Sequence, residues 1–297
     1  MAKTAWVFPG QGSQTPGMGG DLLDTPTGQT RFAEAESLLG WSVPQLCQQE
    51  DKLSRTLYTQ PCLYVVSAIL ADLVKAEGLA PAYVAGHSLG EYVALYVAGV
   101  FDFTTGLKLV QRRSQLMEQC GNGAMAALIG FNRSQLETAL EQQTDVVLAN
   151  DNHADQVVIS GTPAAVEQLL SQIKVKRAVR LNVSGAFHSP LMATAAAEFG
   201  QTLEQSSFSD AQIPVLSNVD PQPAIAAEVL KQRLQQQMTG QVRWRETCLQ
   251  MTQLGVEQVV EIGPGKVLTG LIKRTSPEIS LANISTLADI PTAVPTP

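Results

Sequence analysis

The pattern Gly86-His87-Ser88-Leu89-Gly90 constrains this chain more than any other feature. A short apolar run, Tyr83–Ala85, precedes it and an amphipathic stretch, Leu89–Ala98, follows it and is closed by Gly99. In that context G-x-S-x-G is a strand turning sharply into a helix, with the serine strained at the tip. The two glycines remove side chains that would clash across the turn. The hydroxyl then sits at a helix N-terminus, where the dipole favours developing negative charge. A tight turn with a capping serine is the plainer alternative, and the strand–motif–helix context favours the nucleophile.

Strand-like and helix-like segments alternate through the rest of the chain. Thr4–Phe8 reads as a buried strand entering the Gly-rich loop at Gly10–Gly12. Thr30–Leu39, Pro61–Glu77 and Thr104–Cys120 read as helices, the second with proline in its first turn and Gly78 past its end. The middle third runs strand Met125–Ile129, helix Ser134–Gln142, strands Val146–Ala149 and Gln156–Ser160, a helix capped by Thr162 and running to Ile173, then strand Arg177–Leu181. That order is βαββαβ, a ferredoxin-like unit. Pro190–Leu203 and Val242–Leu254 read as helices, Ile213–Val219 and Val256–Ile262 as strands, and a last helix follows Gly263-Pro264-Gly265. Strands separated by helices imply a mostly parallel sheet covered on both faces. The expected fold is α/β: an α/β-hydrolase-like parallel core with an inserted ferredoxin-like small subdomain. The expected boundaries are 1–123 with 191–297 for the large subdomain and 124–190 for the small one. The small one is flanked by Gly121 and Gly123 and by Ser184–Gly185. The Pro/Thr/Ala-rich tail from Asp289 is expected to fray.

A chain of 297 residues with 44% apolar content can bury an ordinary core without disulfides or metals. Its net charge of −7 is modest, and a pI near 5.0 gives no general phosphate-seeking field, which argues against nucleic-acid binding over a broad face. Cys47, Cys62, Cys120 and Cys248 are far apart and form no CxxC pair, which argues against a zinc ribbon or a disulfide scaffold and fits a reducing cytosol. Met1–Gly10 is not patterned as a signal peptide, and the apolar run Leu63–Val74 is broken by Asp72, so no membrane span is expected. The expected setting is the cytoplasm.

A serine at neutral pH needs a base, and the chain has three histidines. His87 adjoins Ser88 on the elbow, so its ring is expected to point away from the hydroxyl, in a structural role or a minor substrate contact. His153 falls in the loop between two small-subdomain strands and reads as solvated. His188, just before Ser189-Pro190, is the candidate base: a helix starting there disfavours imidazolium and keeps the ring neutral. Its other reading is a buried histidine satisfied by backbone. An oxyanion site needs two donors. The Leu89 N–H, one residue past the serine, is one; the Gln11 N–H, in the loop Phe8–Gln14, is the other. Thr15 breaks G-x-G-x-x-G and no Walker A spacing occurs, which argues against a nucleotide phosphate loop. Arg113 shares a helix face with Leu109 and Met117, whereas Arg112 shares one with Lys108 and Gln119 and reads as solvent-facing. An inward guanidinium is costly unless it meets an anion. That anion is either a protein carboxylate or a substrate carboxylate held in a bidentate fork.

With these segments together, the chain resembles the malonyl-CoA:acyl carrier protein transacylases, the FabD-type acyltransferases of fatty acid synthesis, over nearly its whole length. The resemblance rests on Phe8–Gln14, Gly86–Glu91, Gln111-Arg112-Arg113, Gly185–His188 and Glu261–Leu268. It implies that Ser88 is acylated, that His188 is its base, that Arg113 clamps the malonyl carboxylate, and that Gln11 and Leu89 supply the oxyanion donors. It also implies a backbone carbonyl orienting the histidine in place of a triad acid, matched to Gln237, and a polar residue near the site, matched to Asn150. Phe187 resembles the malonyl-type signature, and its bulk is expected to disfavour a 2-methyl branch. One methyl is worth only about 1–3 kcal/mol, so methylmalonyl is only partly excluded.

The implied reaction is ping-pong, from malonyl-CoA through a malonyl-serine to the phosphopantetheine thiol of holo-acyl carrier protein. No metal and no tightly bound cofactor are implied; the coenzyme A thioester is a substrate, and a monomer is expected. Carrier proteins are acidic, so docking calls for a local basic patch: Lys174, Lys176, Arg177 and Arg180, or Lys266, Lys273 and Arg274. The rival readings are a discrete acyltransferase of a polyketide pathway, a serine esterase or thioesterase, and a non-catalytic carrier-protein scaffold. No histidine follows His188, which counts against the Ser–acid–His order of a plain hydrolase.

Overall fold

The structure, a computed structural model, describes residues 2–183 and 185–291. Ser184 in the expected hinge and the end of the tail lie outside the described residues. The strands are β1 (Thr4–Phe8), β2 (Tyr83–Gly86), β3 (Ala124–Phe131), β4 (Val146–His153), β5 (Gln156–Gly161), β6 (Val175–Arg180), β7 (Val215–Leu216), β8 (Gln258–Ile262) and β9 (Ser280–Ile284). One sheet runs β7-β2-β1-β8-β9, with every pairing parallel. Its strands are short and apolar because helices cover both faces; Ala5 to Phe8 are all buried. Ser88 follows β2, Gln11 follows β1 and Asn218 follows β7, so three neighbouring strands deliver their carboxyl ends to one place.

The second sheet, β4-β5-β3-β6, is antiparallel throughout. With helices Arg133–Glu141 and Pro163–Gln172 it makes the βαββαβ small subdomain. Asn132 and Thr162 cap those helices by accepting from the Gln135 and Ala165 N–H groups. The sheet and helices enclose a core of their own, including Leu128, Leu136, Val157, Ile159 and Leu169. Edge strand β4 ties the two subdomains together. Val242 N–H donates to Ala149 O at 2.8 Å and Asp151 N–H to Val242 O at 2.9 Å. The buried Asp151 carboxylate pairs with Arg133 of the small subdomain and Arg245 of the large one.

Several elements differ from the sequence expectation. The helix expected to open at Pro61 spans Thr56–Ala76. Its first turn is wound by Thr59 N–H to Arg55 O at 2.9 Å, and Pro61 forfeits only its own bond. By length and composition this helix could cross a membrane, but 78% of its most apolar window is buried in the protein, as in a core helix. The strand expected over Ile213–Val219 shrinks to Val215–Leu216, an edge strand limited by Pro214. Helix Ala227–Gln237 and strand β9, beyond the expected last helix, were not read from the sequence. Val146–Ala149 extends to His153, so His153 ends a strand and is buried, not solvated; its Nδ1 accepts from Asp155 N–H.

The elbow glycines are steric requirements. A Cβ on Gly90 would lie 1.9 Å from Phe8 O, and one on Gly86 would lie 1.9 Å from the Gly90 carbonyl carbon. Backbone on both sides leaves nothing to yield. Gly90→Ala is expected to lower stability by about 1–3 kcal/mol or more, read as a shift in the urea midpoint. An unchanged midpoint would show that β1 and this helix are not clamped together.

Candidate active site

Ser88 sits at φ 52 and His188 at φ 57, both in the left-handed region that side chains avoid. Such residues cost about 1–3 kcal/mol each and persist only where surrounding bonds fix them. For Ser88 those bonds are visible. Its N–H donates to Asn218 Oδ1 at 2.7 Å, and its carbonyl accepts from Gln237 Nε2 at 2.9 Å. Asn218 Nδ2 also donates to Gly86 O at 2.5 Å, which anchors the end of β2.

The Ser88 hydroxyl lies 2.8 Å from His188 Nε2. His188 Nδ1 faces two carbonyls, Gln237 O at 2.9 Å and Gly240 O at 3.2 Å. Two acceptors require the proton on Nδ1, which leaves Nε2 bare to accept from Ser88. The imidazole is buried and its pKa falls from 6.5 to about 3, chiefly by burial and next by the Arg113 charge, against the pull of the two carbonyls. The expected cause, a helix start, is replaced: Ser189 caps only the three-residue 3-10 turn Pro190–Met192.

Arg113 is completely buried on helix Phe103–Gln119. Its guanidinium donates to Gln60 Oε1 at 2.8 Å, Ser88 Oγ at 3.0 Å and Gln237 Oε1 at 3.1 Å. It also lies 5.4 Å from the centre of the Tyr92 ring, and its Nε has no partner. Among the described residues no carboxylate forms an ion pair with it. Of the two anions the sequence left open, the protein one is therefore not found. Arg112 instead pairs with Glu198 at the surface.

A cavity of about 80 Å³ is lined by Gln11, Ser88, Leu89, Arg113, Asn150, Phe187 and His188, with His87, Gln60, Met117, Met125, Leu181 and Val183. All the sequence candidates therefore meet there except Gln237, which stands behind His188 and Arg113. Neither the Gln11 nor the Leu89 backbone N–H donates to an acceptor among the described residues, whereas the Gln11 side chain donates to Thr56 Oγ1 at 3.0 Å. Asn150 Oδ1 is buried and unpartnered. Phe187, next to His188 in the chain, is buried. His87 turns toward β4, with Nε2 2.9 Å from Asn152 Oδ1 and its ring edge-on to Trp244. The sequence reading missed Asn218, Gln60, Glu91 and Asn152. Glu91 was part of the Gly86–Glu91 segment but had no role read for it; the signal for the others was a polar residue in an otherwise apolar stretch or at a turn.

The family described as "Acyl transferase domain" matches residues 5–295. A curated malonyl CoA-acyl carrier protein transacylase from Synechocystis sp. is 57% identical over 97% of this chain and 99% of its own length. The crystal structure of a Synechocystis sp. PCC 6803 malonyl-CoA:ACP transacylase superposes with a TM-score of 0.96 at 57% identity, over 97% of this chain and 99% of that one. A malonyl-transacylase solved in complex with a type II polyketide synthase acyl carrier protein superposes at 0.94 with 40% identity, over 98% and 99%.

A base with a depressed pKa stays neutral well into acid. Labelling of Ser88 by an uncharged fluorophosphonate should stay level through the ordinary histidine range near 6.5 and fall only toward about 3. Loss of labelling centred near 6.5 would show that burial does not govern the ring. The same group affects stability. As pH falls from 6.5 toward 3 the unfolded chain binds a proton that the folded chain refuses, so stability present above that range is lost within it.

Proposed function

The chain belongs to the acyl transferase domain family, and from that membership we propose that it moves malonyl from coenzyme A to the phosphopantetheine thiol of holo-acyl carrier protein. The chain is an acyltransferase. The observation that carries the choice of acyl group is the buried Arg113 guanidinium, 3.0 Å from Ser88 Oγ and without a protein carboxylate.

Ser88 attacks the malonyl thioester while His188 Nε2 takes its proton. The backbone N–H groups of Gln11 and Leu89 receive the oxyanion. The coenzyme A sulfur leaves and takes the proton from His188. The carrier-protein thiol then attacks the malonyl-serine ester, His188 accepts the thiol proton, and Ser88 recovers it. Gln237 O holds the imidazole tautomer throughout, in the place a triad acid would occupy. Arg113 receives the free carboxylate of the acyl group in a fork. Acetyl leaves that charge unmatched and is disfavoured. Phe187 narrows the cavity against a 2-methyl branch, and Asn150 offers its buried Oδ1 to the bound thioester. A second cavity of about 190 Å³ shares Val183 with the first and includes Thr56, the partner of Gln11. It offers a path for the pantetheine arm.

Residues 124–190 serve as the small subdomain over the large one, and every group of the site comes from one chain, so a monomer suffices. Four free cysteines suit a reducing cytoplasm. No resident cofactor or metal is needed for these steps. Fatty acid synthesis is the first reading of the pathway served. A polyketide carrier is the second, favoured by the likeness to the transacylase solved with one. Docking uses a basic patch. Lys176 and Arg177 lie exposed on edge strand β6, and Lys273 and Arg274 lie exposed at the end of helix Val267–Thr275. Charge reversal at the patch in use should raise the KM for carrier protein and leave that for malonyl-CoA unchanged.

Brief exposure to malonyl-CoA should give one malonyl adduct by intact mass, mapping to the Ser88 peptide; an adduct elsewhere refutes the assignment. Arg113→Ala should lose malonyl transfer while gaining acetyl transfer relative to it, and equal losses for both acyl groups would make Arg113 structural. His188→Ala should slow acylation by roughly 10²–10⁴-fold, measured in single-turnover assays.

A further inference from the structure

Glu91 is a buried acid that the reaction as described does not use. It is the second residue of helix Gly90–Val97, and its side chain is completely buried. Oε2 accepts from Gln237 Nε2 at 2.7 Å and from Asn218 N–H at 3.1 Å, while Oε1 has no partner. Burial pushes its pKa up, and these donors and the Arg113 charge pull against that.

What the two donors hold elsewhere gives Glu91 its place. Gln237 gives its backbone carbonyl to His188 Nδ1, its Oε1 to Arg113 and a second Nε2 hydrogen to Ser88 O. Asn218 holds the Ser88 N–H and the Gly86 carbonyl. A side-chain amide has a donor end and an acceptor end of nearly the same shape, so its neighbours decide its orientation. Arg113 only donates and fixes Oε1. An acceptor at 91 fixes Nε2. One orientation of Gln237 then satisfies Arg113, Glu91 and Ser88 O together, and the flipped one satisfies none of them.

We infer that Glu91 is a positioning residue whose Oε2 locks Gln237 and Asn218, and through them holds both backbone ends of Ser88, the His188 ring and the Arg113 guanidinium in register. It touches no reacting atom. The consequence for malonyl transfer rests on the function proposed above; the consequence for the serine–histidine pair does not.

Glu91→Leu removes the acceptor at similar volume, and Glu91→Gln keeps an acceptor oxygen. Circular dichroism and thermal midpoint establish folding. Fluorophosphonate labelling then reads the Ser88–His188 pair without any malonyl substrate, and steady-state kinetics read transfer. E91L should lose about 10- to 100-fold in labelling rate and in malonyl-transfer kcat, with E91Q recovering most of both. Adding E91L to Gln237→Leu should cost clearly less than the two single losses combined, because only the Asn218 contact remains to be lost. A folded E91L that labels at the wild-type rate overturns the inference, as does full additivity with Gln237→Leu. Should E91L not fold, Glu91→Asp draws the carboxylate back by one methylene, and wild-type labelling in that variant is equally fatal. A chain that labels normally but moves no malonyl would refute the proposed function and leave the role of Glu91 standing.

Discussion

A serine wound left-handed between a strand and a helix is the constraint on which the rest of this structure depends. At φ 52 the Ser88 backbone presents its hydroxyl outward, past the end of the sheet, where His188 and Arg113 both reach it. That conformation is unfavourable for a residue with a side chain. It holds because β2 ends against β1 with Phe8 opposite Gly86, because glycines at 86 and 90 let backbone touch backbone, and because Asn218 and Gln237 bind the two ends of the residue. Each of those supports comes from a different part of the chain. The elbow is therefore a product of the tertiary fold as much as of its own five residues.

The second constraint is electrostatic. A guanidinium taken wholly out of water costs several kcal/mol unless it is matched. Arg113 is matched here only by neutral acceptors, Gln60, Gln237 and the serine oxygen, and by the face of Tyr92. Those contacts leave the Nε hydrogen without a partner and bring no carboxylate into contact with the cation. Glu91 stands beyond Gln237, whose amide hydrogen-bonds both the buried cation and the buried acid, and the Glu91 charge also acts on Arg113. On the proposed reading, an acyl group ending in a carboxylate supplies the anion that this guanidinium lacks in direct contact.

Much of this was legible in the sequence because it is written in local pattern. The elbow is five contiguous residues with a strand before and a helix after. Arg113 is marked by its spacing from Leu109 and Met117 on one helix face. The βαββαβ order of the small subdomain follows from alternation and from the cap at Thr162. What escaped is held by distance along the chain. Asn218 looks like part of a strand until Pro214 cuts that strand to two residues, and its partners lie about 130 residues earlier. Gln237 was reached only through the resemblance, because it ends a helix whose weakly apolar face carries little periodic signal and only burial separates it from its neighbours Gln235 and Gln236. His153 looked solvated because a strand extended further than its apolar run.

The depressed basicity of His188 looks at first like a handicap for a base. Its two principal causes, burial and the Arg113 charge, differ in how they respond to substrate. Burial persists or deepens as the cavity fills. The charge need not: on the proposed reading, a carboxylate lying on Arg113 offsets that charge, and the imidazole gains affinity for a proton. On that reading the same carboxylate competes for the guanidinium hydrogen bond that Ser88 Oγ accepts. An acyl group without a carboxylate leaves both effects in place. On the proposed reading, discrimination between charged and neutral acyl groups then acts on the basicity of His188 and on the freedom of the Ser88 oxygen, as well as on binding. For that reason the cation stands within hydrogen-bonding distance of the nucleophile and not merely at the far end of the cavity.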